Sequence, residues 1–163
     1  MTSSTPTPAS ELTLTRHGDR EFRVERVFRA SVERVWRALT EPDLVAQWWG
    51  RGNQLDIERM ELEPGGHWRY VEHAPDGRHG FEGRYREVTP PTRLAYTFDW
   101  DGMPGHVSLE TVVLEDLGDG RTRITTTSQY HTPGDRDGML GSDMEEGLAQ
   151  GYAALDALLE RLS

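Results

Sequence analysis

The chain has 163 residues, with 28 Asp and Glu against 18 Lys and Arg, a formal net charge of −10. That length fits one domain, and the acidic balance disfavours phosphate backbones and anionic leaflets, so neither nucleic acid nor membrane is an expected partner. Cysteine is absent, which removes disulfides, thiolate nucleophiles, zinc ribbons and iron–sulfur clusters together.

Residues 1–11 are rich in Ser, Thr and Pro and offer little to bury. They read as a flexible polar tail rather than a signal peptide, with residues 12–163 as a single domain. No run approaches the roughly 18 apolar residues of a membrane helix, and cytoplasm is the expected location. Leu12 and Leu14 alternate with threonines, His17 to Arg20 marks a turn, and Phe22 to Phe28 follows as a strand, so a hairpin opens the domain. Ser31 then starts a helical rhythm of Val32, Val35, Trp36 and Leu39. Pro42 ends that helix and opens a second, which runs through Trp48 and Trp49 to Gly50.

From Leu55 to Tyr130 the pattern is β. Leu55 to Leu62 is a strand stopped by Pro64-Gly65-Gly66, and His67 to His73 is another, with Trp68 and Tyr70 on one face. Asp76-Gly77 reads as a hairpin turn. Phe81, Gly83 and Tyr85 alternate along the next strand, up to Pro90-Pro91. Leu94, Tyr96, Phe98 and Trp100 then show the strictest two-residue period in the chain. Val107 to Glu115 and Thr122 to Tyr130 flank a second turn, Asp119-Gly120. The pattern predicts a meander of six or more antiparallel strands. A long helix closes the chain, with Ser142-Asp143-Met144-Glu145 in capping-box form. Its apolar stripe is Met144, Leu148, Tyr152, Leu155, Leu159 and Leu162.

Such a stripe must lie on the sheet, and a meander of this length curls to protect its edges. Trp68, Tyr70, Tyr85, Tyr96, Trp100 and Tyr130 then face the space between. Buried Tyr and Trp each need a polar partner, which favours a ligand cavity over a sealed core. Met144, Leu148 and Tyr152 would line it from the helix, with one of Trp48 and Trp49 packed inward and the other at the rim.

The stretch from Phe28-Arg29-Ala30-Ser31 through Glu41-Pro42-Asp43 to Trp48-Trp49-Gly50 resembles the opening of the SRPBCC (START-like, or birch-pollen-allergen-like) superfamily. Gly65-Gly66-His67-Trp68, Phe81-Glu82-Gly83-Arg84-Tyr85, Glu87-Val88-Thr89-Pro90-Pro91 and Asp137-Gly138-Met139-Leu140 are similar to one subgroup of it. That subgroup is named for activators of the ATPase of the ninety-kilodalton heat-shock protein. The resemblance implies an α+β helix-grip fold: a curved antiparallel β-sheet around a long C-terminal helix, with two short helices after the first strand. The superfamily includes lipid and polyketide carriers, aromatase/cyclases and co-chaperone domains, so the fold does not settle the activity. Binding of a small apolar or aromatic molecule is the leading reading. A cyclase- or hydrolase-type enzyme in the same cavity and a co-chaperone-like interaction module are the alternatives.

The residues add few chemical groups. His67 and His73 share a strand face about 20 Å apart and cannot share a metal, while His79 falls near His73 across the hairpin. No nucleophile elbow is present, and the glycine loops lack the lysine of a nucleotide site. No metal or cofactor is expected. Glu110 stands out: it shares a strand face with Val112 and Leu114, pointing either into the cavity or outward toward Arg123. The eukaryotic activators carry a second, N-terminal domain, so this chain alone is not expected to stimulate a chaperone's ATPase.

Overall fold

The computed structural model describes residues 12–162; residues 1–11, read above as a tail, and Ser163 lie outside the described residues. An opening hairpin, β1 (Thr13–His17) and β2 (Glu21–Phe28), leads into two short helices, α1 (Val32–Thr40) and α2 (Pro42–Trp48). Six strands follow: β3 (Gln54–Met60), β4 (His67–Ala74), β5 (Gly77–Thr89), β6 (Arg93–Trp100), β7 (Ser108–Gly118) and β8 (Arg121–Tyr130). Two helices, α3 (Pro133–Leu140) and α4 (Met144–Arg161), complete the described chain. The strand order is β1-β2-β8-β7-β6-β5-β4-β3, antiparallel throughout. The last six strands therefore form a continuous meander, and the opening hairpin joins it along β8. This is the α+β helix-grip fold, a curved eight-stranded sheet with a long C-terminal helix. The short helices follow the second strand rather than the first, because Thr13 to His17 pairs with Glu21 to Glu25.

Local chemistry accounts for the boundaries. Ser31 caps α1 by accepting from the Arg34 amide at 3.2 Å, as serine does at an N-cap. Gly118 pairs with Arg121, so Asp119 and Gly120 form a two-residue loop, both with positive φ (54° and 72°), as a type I′ hairpin requires. At the other tight hairpin Ala74 pairs with Gly77. The loop there is Pro75-Asp76, one residue earlier than expected.

Two features at the C-terminal end depart from the sequence reading. Helix α3 was not anticipated, because it has no apolar stripe. It starts at Pro133 beneath a Thr132 cap that accepts from the Asp135 amide at 3.1 Å. It docks through Arg136, buried at 7% exposure, whose Nη1 donates to the Glu21 and Gly18 carbonyls at 2.9 and 3.2 Å. The capping box at Ser142 does not form. The serine hydroxyl donates instead to the Met139 carbonyl at the end of α3 (2.6 Å), and Asp143 is the N-cap of α4 without a side-chain cap bond.

The core runs from the opening hairpin and the short helices along the inner face of the sheet. Phe22, Val24 and Phe28 of β2, Val35 and Ala38 of α1, Ile124 of β8 and Leu155 and Leu159 of α4 are all buried. Leu158 lies outside the expected stripe yet is equally buried, because α1 and α2 cover a second side of α4. Arg26 shares the inner face of β2, with its guanidinium 4.3 Å over the Phe28 ring and 3.6 Å from Asp156. Burial pushes its pKa down, and Asp156 draws it part of the way back. Among the described residues no helix is long and apolar enough to cross a membrane. Leu155→Ala should lose about 2–5 kcal/mol in chemical denaturation; a loss below about 1 kcal/mol would mean that this face is not a packed core.

Candidate functional site

Period-two alternation brings one ring after another to the concave face of the sheet. Trp68 and Tyr70 come from β4, Phe81 and Tyr85 from β5, and Leu94, Tyr96, Phe98 and Trp100 from β6. Ser108, Glu110 and Val112 of β7 and Thr126, Ser128 and Tyr130 of β8 continue the wall. Helix α4 faces them with Met144, Leu148 and Tyr152, and Trp48 and Trp49 close one side. These residues line a half-open cavity of about 590 Å³, within the usual range of small-molecule sites. Every candidate residue named from the sequence lines it.

The rings hold one another. Trp49 stands edge-on to Tyr70 and Phe81, with centroids 5.3 and 4.9 Å apart, and Trp68 lies 4.8 Å from Tyr70 and 5.6 Å from Tyr96. The Trp68 indole donates to the Thr97 carbonyl at 3.1 Å. Gly83, opposite Trp68 on β5, permits this crossing, since a Cβ there would collide with that carbonyl and crowd the indole nitrogen. Trp48 is the inward one of its pair, donating to the Ala38 carbonyl at 2.8 Å, and Trp49 is half-buried. On α4, Gly147 and Gly151 present bare backbone to the cavity. Gly151 is buried, yet a Cβ built on it meets no atom within 4 Å: the space above it is hollow.

Glu110 points inward. Its Oε2 accepts from Ser108 and its Oε1 from Ser128, both at 2.6 Å, and Arg123 instead pairs with Glu115 at 2.7 Å. The register explains the cluster, because Glu110 sits between Tyr96 on β6 and Ser128 on β8, with Ser108 facing Tyr130. Burial pushes the carboxyl pKa above the ordinary 4.5, and the two hydroxyls pull it part of the way back. Burial also raises the phenols: Tyr85 to about 12, and Tyr70 and Tyr96 well above 10. At neutral pH they are hydrogen-bonding phenols, not bases.

Residues not named as site candidates from the sequence complete the site. Glu72 is 1% exposed and accepts from Arg51 Nη2 at 3.0 Å and from Asn53 Nδ2 at 2.9 Å. It fastens the loop after α2 beside the cavity. Arg51, Asp76, Ser142 and Asp143 are exposed lining residues and form the rim. Ser108 and Ser128 had a readable signal only in retrospect, through their register with Glu110. The histidines do not converge. His67 pairs with Glu82 and His73 with Asp56, both at 2.8 Å, and His79 pairs with Asp76 at 2.9 Å rather than lying beside His73. Among the described residues no group of three His, Asp or Glu side chains is placed to hold a metal.

A curved sheet gripping a helix around an internal cavity defines a domain of the SRPBCC superfamily. Residues 29–160 match the family described as Activator of Hsp90 ATPase homolog 1-like protein, and the chain belongs to that family. A crystal structure of a protein from Rhodobacter sphaeroides is 30% identical, with a TM-score of 0.85 over 93% of this chain and 99% of that one. A solution structure from Arthrobacter aurescens is 26% identical, with a TM-score of 0.82 over 91% of each chain. A crystal structure from Nitrosomonas europaea is 27% identical, with a TM-score of 0.78 over 90% and 97% of the two chains. A comparison with curated proteins gives no match.

The raised pKa of Glu110 has a sign that can be checked. The folded state holds this proton at pH values where the unfolded chain, near 4.5, has released it. Stability is therefore lost as pH rises through that window. Glu110→Gln removes the penalty, and the serine hydroxyls can turn to accept from the amide. The variant should melt above the parent near pH 7, with the gain shrinking below about pH 4.5; a gain independent of pH would contradict the assignment.

Proposed function

We propose that the protein binds one small apolar or aromatic molecule in the space between the sheet and α4. The carrying observation is the hollow itself: about 590 Å³ walled by rings, over a buried glycine whose missing side chain nothing replaces. An open cavity of this size leaves its apolar walls against water, at a cost in free energy. An apolar ligand removes those walls from water. The large apolar side chains are turned toward it, Met103 and Val107 being the exposed ones among the described residues. That distribution supports a small-molecule site over a docking patch for a chaperone or other protein. Trp49, Trp68, Tyr70, Tyr85, Tyr96 and Trp100 would contact the apolar body of the ligand. Glu110, Tyr130 and Tyr152 supply the polar end.

Gly151 gives the test. Gly151→Ala should raise stability by about 1 kcal/mol through helix propensity, because the methyl meets nothing. Gly151→Leu extends a branched side chain into the hollow without opposing the helix. The neutral dye N-phenyl-1-naphthylamine should bind the wild-type protein one per chain, by fluorescence titration. The leucine variant should weaken that binding by at least about tenfold while melting no lower than the parent. Absence of dye binding to the wild type, or unchanged binding to the leucine variant, would overturn the reading.

A further inference from the structure

We propose that the cavity selects an organic cation: an apolar body bearing one ammonium group that seats on the Glu110 carboxyl. The inference rests on the cavity reading above and names its ligand class. Three observations lead to it.

The charges facing the cavity do not balance. Arg51 is taken by both oxygens of Glu72 at 3.0 Å, and His79 by Asp76 at 2.9 Å. Arg26, buried on the inner face of β2, lies against Asp156 and Phe28. Glu110 has two hydroxyls as its hydrogen-bond partners and no cation. A buried carboxylate without a counter-charge is costly. An arriving ammonium supplies what the chain does not.

The donors and acceptors at this end are also one-sided. Ser108 and Ser128 each spend their hydrogen on Glu110, and the Tyr130 hydroxyl is hydrogen-bonded to both serines. The carboxylate keeps further acceptor sites of its own. An ammonium, with three donors and no acceptor, matches that set; an alcohol offers one donor, and a carboxylate ligand only more acceptors and a like charge.

Aromatic rings surround the same point. Tyr96 faces Glu110 and Tyr130 faces Ser108 across the sheet. Tyr152 reaches in from α4, its hydroxyl 3.5 Å from Thr126. Burial raises the pKa of all three phenols, and the charge of Glu110 adds to it. Rings beside a carboxylate favour a cationic nitrogen through the ring quadrupole as well as through the charge.

The test uses three ligands of one size on the intact protein: 2-(1-naphthyl)ethylamine, 1-naphthaleneethanol and 1-naphthaleneacetate, each displacing N-phenyl-1-naphthylamine. Titrations run at about pH 7 in about 0.5 M sodium chloride, where the Debye length is only about 4 Å and the overall charge is screened. The amine should bind at least about tenfold more tightly than the alcohol, and the acetate weakest. In Glu110→Gln the amine should lose at least about tenfold more affinity than the alcohol, so that its preference over the alcohol disappears. An alcohol or acetate that matches the amine on the wild type overturns the inference, as does an amine preference that survives in the glutamine variant. The wild-type ranking decides by itself if that variant fails to fold. If the dye binds and the ranking is flat, only this inference falls; if the dye does not bind, the cavity reading falls with it.

Discussion

The pairing of β2 with β8 is the contact on which the rest of the molecule depends. It joins the opening hairpin to the end of the meander over eight consecutive residue pairs, from Glu21 opposite Gln129 to Phe28 opposite Thr122. With that seam made, Phe22, Val24, Arg26 and Phe28 all face the helix that the sheet must cover. Thr122 reinforces the corner by donating to the Ala30 carbonyl at 2.7 Å, which delivers the chain into α1. Helices α1 and α2 then press on α4 from the side the sheet leaves open.

That arrangement divides α4 into two unlike halves. Its C-terminal half carries Leu155, Leu158 and Leu159, all buried between the sheet and the short helices. Its N-terminal half carries Gly147 and Gly151, with Met144 and Leu148 only half-buried. The same helix is thus an anchor at one end and a cavity wall at the other. Stability and binding are separable along it, because the packed end supplies the dispersion contacts that the hollow end forgoes.

Three of the charged side chains turned inward are handled differently. Arg26 has a carboxylate and a ring face, Glu72 has a guanidinium and an amide, and Glu110 has two hydroxyls. The first two are completed by the chain and act as structural fastenings. The third is hydrogen-bonded without a counter-charge, and it lines the cavity. Membership of the Activator of Hsp90 ATPase homolog 1-like family supplies the scaffold without specifying a ligand, since function on such a scaffold resides in the lining residues.

Much of this was legible in the sequence. The alternation of Leu94, Tyr96, Phe98 and Trp100, the two aspartate turns and the stripe from Met144 to Leu162 prescribe a meander covering a helix, because side-chain period depends on backbone geometry alone. The rings now facing the cavity were identifiable for the same reason. What sequence periodicity does not encode is which face of a strand meets the core and what sits across from it. Glu110 has Val112 and Leu114 on its own face, but only the register of β6, β7 and β8 turns it inward and sets Ser108 and Ser128 upon it. Helix α3 stayed hidden because Arg136 docks it through carbonyls of the distant first hairpin, and Ser142 resembled a cap until the end of α3 claimed its hydroxyl. Local pattern determined the elements and their apolar faces; the partners of each polar group were decided by tertiary structure, because hydrogen bonds and desolvation depend on neighbours that the chain brings together only on folding.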